Sequence, residues 1–97
     1  MTKDEARAIA LTYVQDVSVE ADFEAVLLDS MTMERSFGWV FFYDSKKHVE
    51  TGDFQYAVAG NAPIVVTRFD GAIHVTGTAL PLETYLERFE SMTSTYL

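Results

Sequence analysis

Cysteine is absent from the sequence, which excludes a disulfide framework, a thiolate zinc site and a cysteine nucleophile. Basic residues are scarce: seven lysines and arginines stand against fifteen aspartates and glutamates, a formal charge of -8. A field of that sign repels phosphates, so nucleic acid is disfavoured and a basic protein surface is what the chain would attract. The same acidity also serves solubility in a small protein. No apolar run approaches membrane-spanning length, and Met1-Thr2-Lys3-Asp4-Glu5 lacks the apolar character of a signal segment. The expectation is a cytoplasmic protein with no membrane partner. Repeats, low-complexity tracts and linkers are missing, so 97 residues (1–97) read as one domain.

What is present is hydrophobic. Apolar residues make up 48% of the chain and aromatics 13%, which argues for a folded core and against disorder. A chain of this length hides only ~60–65% of its unfolded surface, so its stability is modest or assisted by association.

The stretch from Gly60 to Thr78 organises the rest. It reads as a turn, a strand, an Asp70-Gly71 turn and a returning strand. A two-residue type I′ loop places Phe69 opposite Ala72, Arg68 opposite Ile73 and Val66 opposite Val75. Ile64, Val66, Ile73 and Val75 then share a face that meets the core. Upstream, Thr2-Lys3-Asp4-Glu5 has the form of a capping box. Ala6, Ile9, Ala10, Tyr13, Val14 and Val17 follow at helical spacing, giving a helix over about Lys3–Asp16.

Phe23 to about Thr32 is strand-like, with a reversal over Met33–Ser36. Gly38–Asp44 is a second strand, apolar on both faces and therefore central in its sheet. Ser45–Asp53 reads as a polar loop, and Phe54–Ala59 fits a short strand or one helical turn equally. Pro81 opens a last helix through Leu82, Tyr85, Leu86 and Phe89, with the tail fraying from Ser91. The order predicts an α+β domain, an antiparallel sheet of four to five strands flanked by an N-terminal and a C-terminal helix. If both helices cover the Trp39/Phe41/Tyr43 face, Val26, Leu28, Val40 and Phe42 form an open apolar face. Such a face marks a partner or homodimer surface.

Catalytic signals are thin. His48-Val49-Glu50 resembles the start of a zinc deaminase motif, but its Pro-Cys-x-x-Cys half is missing. His48, Glu50, Asp53 and His74 are metal-ligand types without a spacing that fixes them together. There is no Gly-x-Ser-x-Gly elbow, and Gly60-Asn61-Ala62-Pro63 lacks the lysine of a phosphate loop. The carboxylates of Asp44, Glu50, Asp53 and Asp70 show no enforced proximity that would split their pKa values. No enzyme, metal or cofactor is implied.

The motifs Gly38-Trp39-Val40-Phe41-Phe42-Tyr43-Asp44-Ser45, Glu50-Thr51-Gly52-Asp53, Ala59-Gly60-Asn61-Ala62-Pro63-Ile64-Val65-Val66 and Asp70-Gly71-x-Ile73-His74-x-x-Gly77-Thr78-Ala79-x-Pro81-Leu82-Glu83-x-Tyr85-Leu86 stand in series. In that order they resemble the immunity protein 35 family, which includes YrhB-type proteins. The resemblance covers about Gly38–Phe89. It implies a small cytoplasmic α+β protein, encoded beside a bacterial toxin, that neutralises this cognate toxin by binding it. Some members are described as chaperone-like, which keeps an alternative: holding heat-sensitive clients through an exposed apolar sheet face. The family supplies no catalytic residues. Gly38, Trp39, Gly60, Asn61, Pro63, Gly71 and Gly77 have structural explanations. For the partner surface, charge steering favours Asp44, Glu50, Asp53 and Asp70 with Glu20 and Asp22, and Phe42, Tyr43 and Phe54 as aromatic anchors.

Overall fold

The computed structural model describes residues 1–20, 23–53, 55, 62–77 and 79–96, the last five by backbone alone. Apart from Gln55, the Phe54–Ala59 segment and the Gly60-Asn61 turn lie outside the described residues, as do Asp22 and Thr78.

Helix α1 spans Lys3–Glu20, four residues beyond the expected end. Its capping box is present: Thr2 Oγ1 accepts the Glu5 amide at 3.2 Å and Glu5 Oε1 accepts the Thr2 amide at 3.0 Å. These bonds hold the Glu5 carboxyl below its usual range. Ala6, Ala10, Val14 and Ser18 form the buried stripe, one residue every fourth position.

Among the described residues the chain next makes six short strands in two antiparallel sheets, where four to five strands in one sheet were expected. Strand β1 (Ala25–Leu27) pairs with β4 (Tyr43–Ser45), and a four-stranded sheet runs in the order β2 (Met33–Arg35), β3 (Gly38–Phe41), β5 (Ile64–Thr67), β6 (Ile73–Val75). The first expected strand is broken by a 3-10 turn over Asp29–Met31, and Met33–Arg35 is strand rather than reversal. The reversal falls at Ser36-Phe37. Its tightness comes from Gly38, whose φ of 149° lets the backbone pass Val66 so closely that a Cβ would stand 2.1 Å from the Val66 carbonyl oxygen.

The Asp70-Gly71 turn is also wider than the two-residue loop expected. Val66 pairs with Ile73 and Ile64 with Val75, leaving a four-residue loop, Arg68–Gly71. Asp70 explains the difference. Its carboxylate accepts from the Thr67 hydroxyl and from the Ala72 amide, which closes the loop locally, while Gly71 takes the left-handed φ of 67°. A register shift of two keeps every side chain on its expected face, but Val75, expected to meet the core, is 53% exposed because β6 is the sheet's edge.

The two-faced apolar strand has its cover. Trp39, Phe41, Ile64 and Val66 meet Ala6, Ala10 and Val14 of α1, with Leu27 and Tyr43. Val40 and Val65 point the other way, onto Phe37 and Leu86 of helix α3 (Leu82–Tyr96). Each helix therefore covers one face. The open face envisaged for both helices on one side does not form: Val40 is fully buried and Phe42 half-buried against the α3 cluster. Helix α3 continues past Ser91 to Tyr96, where a frayed tail was expected.

Candidate functional site

The expected polar loop after β4 is a helix. Ser45, buried at the end of β4, has extended backbone and accepts the His48 amide on Oγ at 3.0 Å. That is an N-cap, and it opens α2 (Lys46–Thr51). Gly52 ends it in left-handed geometry, φ 70°, donating to the His48 carbonyl at 2.8 Å. Both signals, a serine before the segment and a glycine after it, stand in the sequence and outweigh the segment's polarity.

This helix sets the geometry of the acidic end of the molecule. Asp44, half-buried on β4, has Oδ2 2.5 Å from Nδ1 of His48 one helical turn on. Asp44 also accepts the Ser45 amide through Oδ1 at 2.7 Å. The pair fixes the imidazole against the sheet. Ser45 Oγ is engaged as the helix cap, so the Asp44–Ser45–His48 run is local architecture with its hydroxyl already used.

Around that pair stand exposed carboxylates. Glu20 ends α1, and Glu24 lies beside β1, where its carbonyl accepts the Lys46 amide at 2.8 Å. Glu50 is exposed on α2, and Asp53 accepts from the amide and side chain of Gln55 at 3.0 and 3.1 Å. Lys46 stands between Glu24 and Glu50, at 3.7 and 4.0 Å. The carboxylates of Glu24, Asp44, Glu50 and Asp53 thus outnumber Lys46 and Lys47 at this end. Glu24 was not among the expected residues; only the β1–β4 pairing brings it here.

Two expected members stand elsewhere. Asp70 lies in the β5–β6 loop, beside the Gly38 end of β3, whereas Asp44 follows β3 at the opposite end. Six residue steps, from Gly38 to Asp44, separate those ends, on the order of 20 Å for extended chain. Asp70 is held below the usual carboxylate range by the Thr67 hydroxyl and then the Ala72 amide. It is a turn residue first. Tyr43 is buried between α1 and the sheet, and burial, with Tyr13 adding to it, pushes its phenol up. Phe42 is half-buried on the α3 side. Neither stands out as an aromatic anchor. Phe54 and Asp22 lie outside the described residues. His74, on β6, meets Phe89 edge-on at 5.1 Å, apart from His48. Among the described residues no three histidines or carboxylates come together as a metal would need. Nor is any described helix long and apolar enough to cross a membrane.

At the other end, charges are used to tie elements together. Arg35 reaches Glu83 at 2.9 Å and Glu90 at 3.1 Å, fastening β2 to α3. Arg68 reaches Glu34 at 3.1 Å, and Arg7 holds Asp29 through two bonds of 2.8 and 3.0 Å. The larger part of the surplus negative charge is left to α1 and the α2 end.

The family model described as immunity protein 35 matches residues 4–90. A protein of Escherichia coli (strain K12), titled "Uncharacterized protein YrhB", is 36% identical over 96 residues, covering 99% of this chain and 96% of its own. No solved structure matches significantly. A family match over residues 4–90, with a relative 36% identical along nearly the whole length, places the chain in the immunity protein 35 family.

Proposed function

We infer that the protein acts by binding: it captures a cognate bacterial toxin and neutralises it by covering the surface the toxin needs, without catalysis or cofactor. Family membership carries this reading, because an immunity protein implies a toxin partner. The charge distribution supports it. A formal charge of -8, gathered in part at the α2 end as Glu24, Glu50 and Asp53, would speed encounter with a basic toxin surface.

The contact surface in this reading is the α2 end, with Glu50 and Asp53 at its rim and Asp44 behind them. Asp70 contributes to long-range steering only. Reversing Glu50 and Asp53 to lysine should lower the association rate with the toxin about tenfold at low salt, with the difference shrinking as salt rises. An unchanged on-rate removes this end from the interface.

The chaperone-like alternative requires an exposed apolar sheet face. The two faces of the sheet lie largely under α1 and α3, and the apolar strand surface left open is confined to the β6 edge at Ile73 and Val75, which gives that reading little to work with among the described residues.

A further inference from the structure

One edge of the four-stranded sheet is built differently from the other. The β2 edge carries Glu34 and Arg35, both tied into ion pairs. Charges of this kind blunt an edge against further pairing. The β6 edge, Ile73-His74-Val75, carries no formal charge at neutral imidazole, and Val75 is 53% exposed.

The register shows which backbone groups face outward there. Thr67 donates to the Ala72 carbonyl and Thr76 to the Pro63 carbonyl, both at 3.0 Å. These are hydrogen-bonded pairs, and by the alternation of an antiparallel ladder so is Val65 with His74. Ile73 and Val75 fall at the intervening positions. Their N–H and C=O groups point away from β5, and no described residue receives them. A stretch of two outward-facing residues, spaced by two, is the template for one added strand.

Beside this edge, a shallow groove runs between α1 and β6, lined by Ile9, Tyr13, Asp16 and Ile73 with Ala8 and Thr12. It is mostly apolar, with the hydroxyls of Thr12 and Tyr13 and a single charged residue, Asp16, and no cation lines it. We propose that the β6 edge is a docking site for an extended segment of a partner protein, one that alternates apolar and basic residues. The segment adds to the sheet through Ile73 and Val75, sets an apolar side chain on Ile9 and Tyr13, and brings a lysine or arginine to Asp16. Charge selects this occupant over a second copy of the chain, which would bring another -8 and a second Asp16 to the same groove. The proposal rests on the binding reading above for the kind of partner, but the edge is tested without any toxin.

The probe is an end-blocked hexapeptide alternating lysine and valine, titrated into the full-length isotope-labelled protein and followed by backbone amide resonances. The expected result is shifts centred on Ile73 and Val75, absent with the glutamate–valine counterpart. Val75→Pro removes an outward donor and leaves the inward bonds of His74 and Thr76, so it should weaken the peptide about tenfold. Should Val75→Pro disturb the fold, Val75→Lys keeps every backbone group and should weaken it through charge. Asp16→Asn should weaken it as well. Shifts elsewhere, equal binding of the glutamate peptide, or binding untouched by these variants would overturn the proposal. So would loss of the Ile73 and Val75 signals with protein concentration alone, which would assign the edge to a second copy. Failure of this titration leaves the toxin reading standing, and failure of toxin rescue leaves a positive titration standing.

Discussion

Arg68 lays its guanidinium 4.4 Å from the centre of the Trp39 ring while its own N–H groups donate to Glu34 at 3.1 Å and to the Arg35 carbonyl at 2.9 Å. The indole beneath is 2% exposed, and its Nε1–H finds no acceptor among the described residues. Burial of that donor is a cost, and the cation over the ring offsets part of it. Arg68→Met keeps the stem and removes the charge. It should lower stability by about 1–2 kcal/mol. Denaturation followed by the fluorescence of Trp39, the single tryptophan, reads the loss directly.

The crossing of Gly38 over Val66 makes a second expectation. Alanine at 38 would drive a Cβ into a backbone carbonyl, where no side chain can move aside. Gly38→Ala should cost about 3 kcal/mol or more, or abolish folding. Gly52 has a left-handed φ as well, but a Cβ there meets nothing within 4 Å. Gly52→Ala should cost about 1 kcal/mol, from backbone conformation alone. Equal losses in thermal denaturation would contradict the close approach.

Acid should weaken the protein through Asp29. Its carboxyl is held below the ordinary range chiefly by the hydrogen bonds of Arg7. A lowered folded-state pKa means stabilisation that is complete above the unfolded value, about pH 4, and is lost as pH falls through the lower folded value. Asp29→Asn should flatten the stability profile below about pH 4 and change its shape little above that. Urea midpoints across that range measure it. A parallel profile for the variant would exclude the pair as a source of the slope.

At the alkaline end the sign reverses. The Tyr43 phenol is pushed up by burial, so its contribution is complete below the ordinary tyrosine value, about pH 10, and is lost as pH rises through the higher folded value. Ultraviolet titration should show one late tyrosine that disappears in Tyr43→Phe. Early ionisation of that residue would contradict its burial.

Where one residue type decided a local structure, it was legible in the sequence. The Thr2–Glu5 capping box and the strand pair after Pro63 formed where their residues said they would. The double-sided character of Trp39-Val40-Phe41 also told that this strand is central in its sheet, yet it could not say which helix covers which face. Leu86 settles that, by lying on Val40 and Val65. Misreadings arose where two local signals competed. Asp70-Gly71 has the residues of a tight loop, but the Asp70 carboxylate closes a wider one with Thr67 and Ala72. Lys46–Thr51 looks like solvated loop because its residues are polar, and the cap at Ser45 outweighs that.

The candidate surface was half legible for the same reason. Glu50 and Asp53 are near in sequence and stay near in space, whereas Glu24 joins them only through pairing of β1 with β4. Asp70 leaves them because β5 runs back along β3.

The central claim is that this chain silences a toxin by binding it. The most direct measurement is co-expression with the product of the neighbouring gene in a toxin-sensitive bacterium, followed by co-purification at low and moderate salt. The account predicts rescue of growth and a stable one-to-one complex whose formation slows as salt rises. Absence of rescue and of any complex, with broad capture of heat-stressed clients instead, would contradict it.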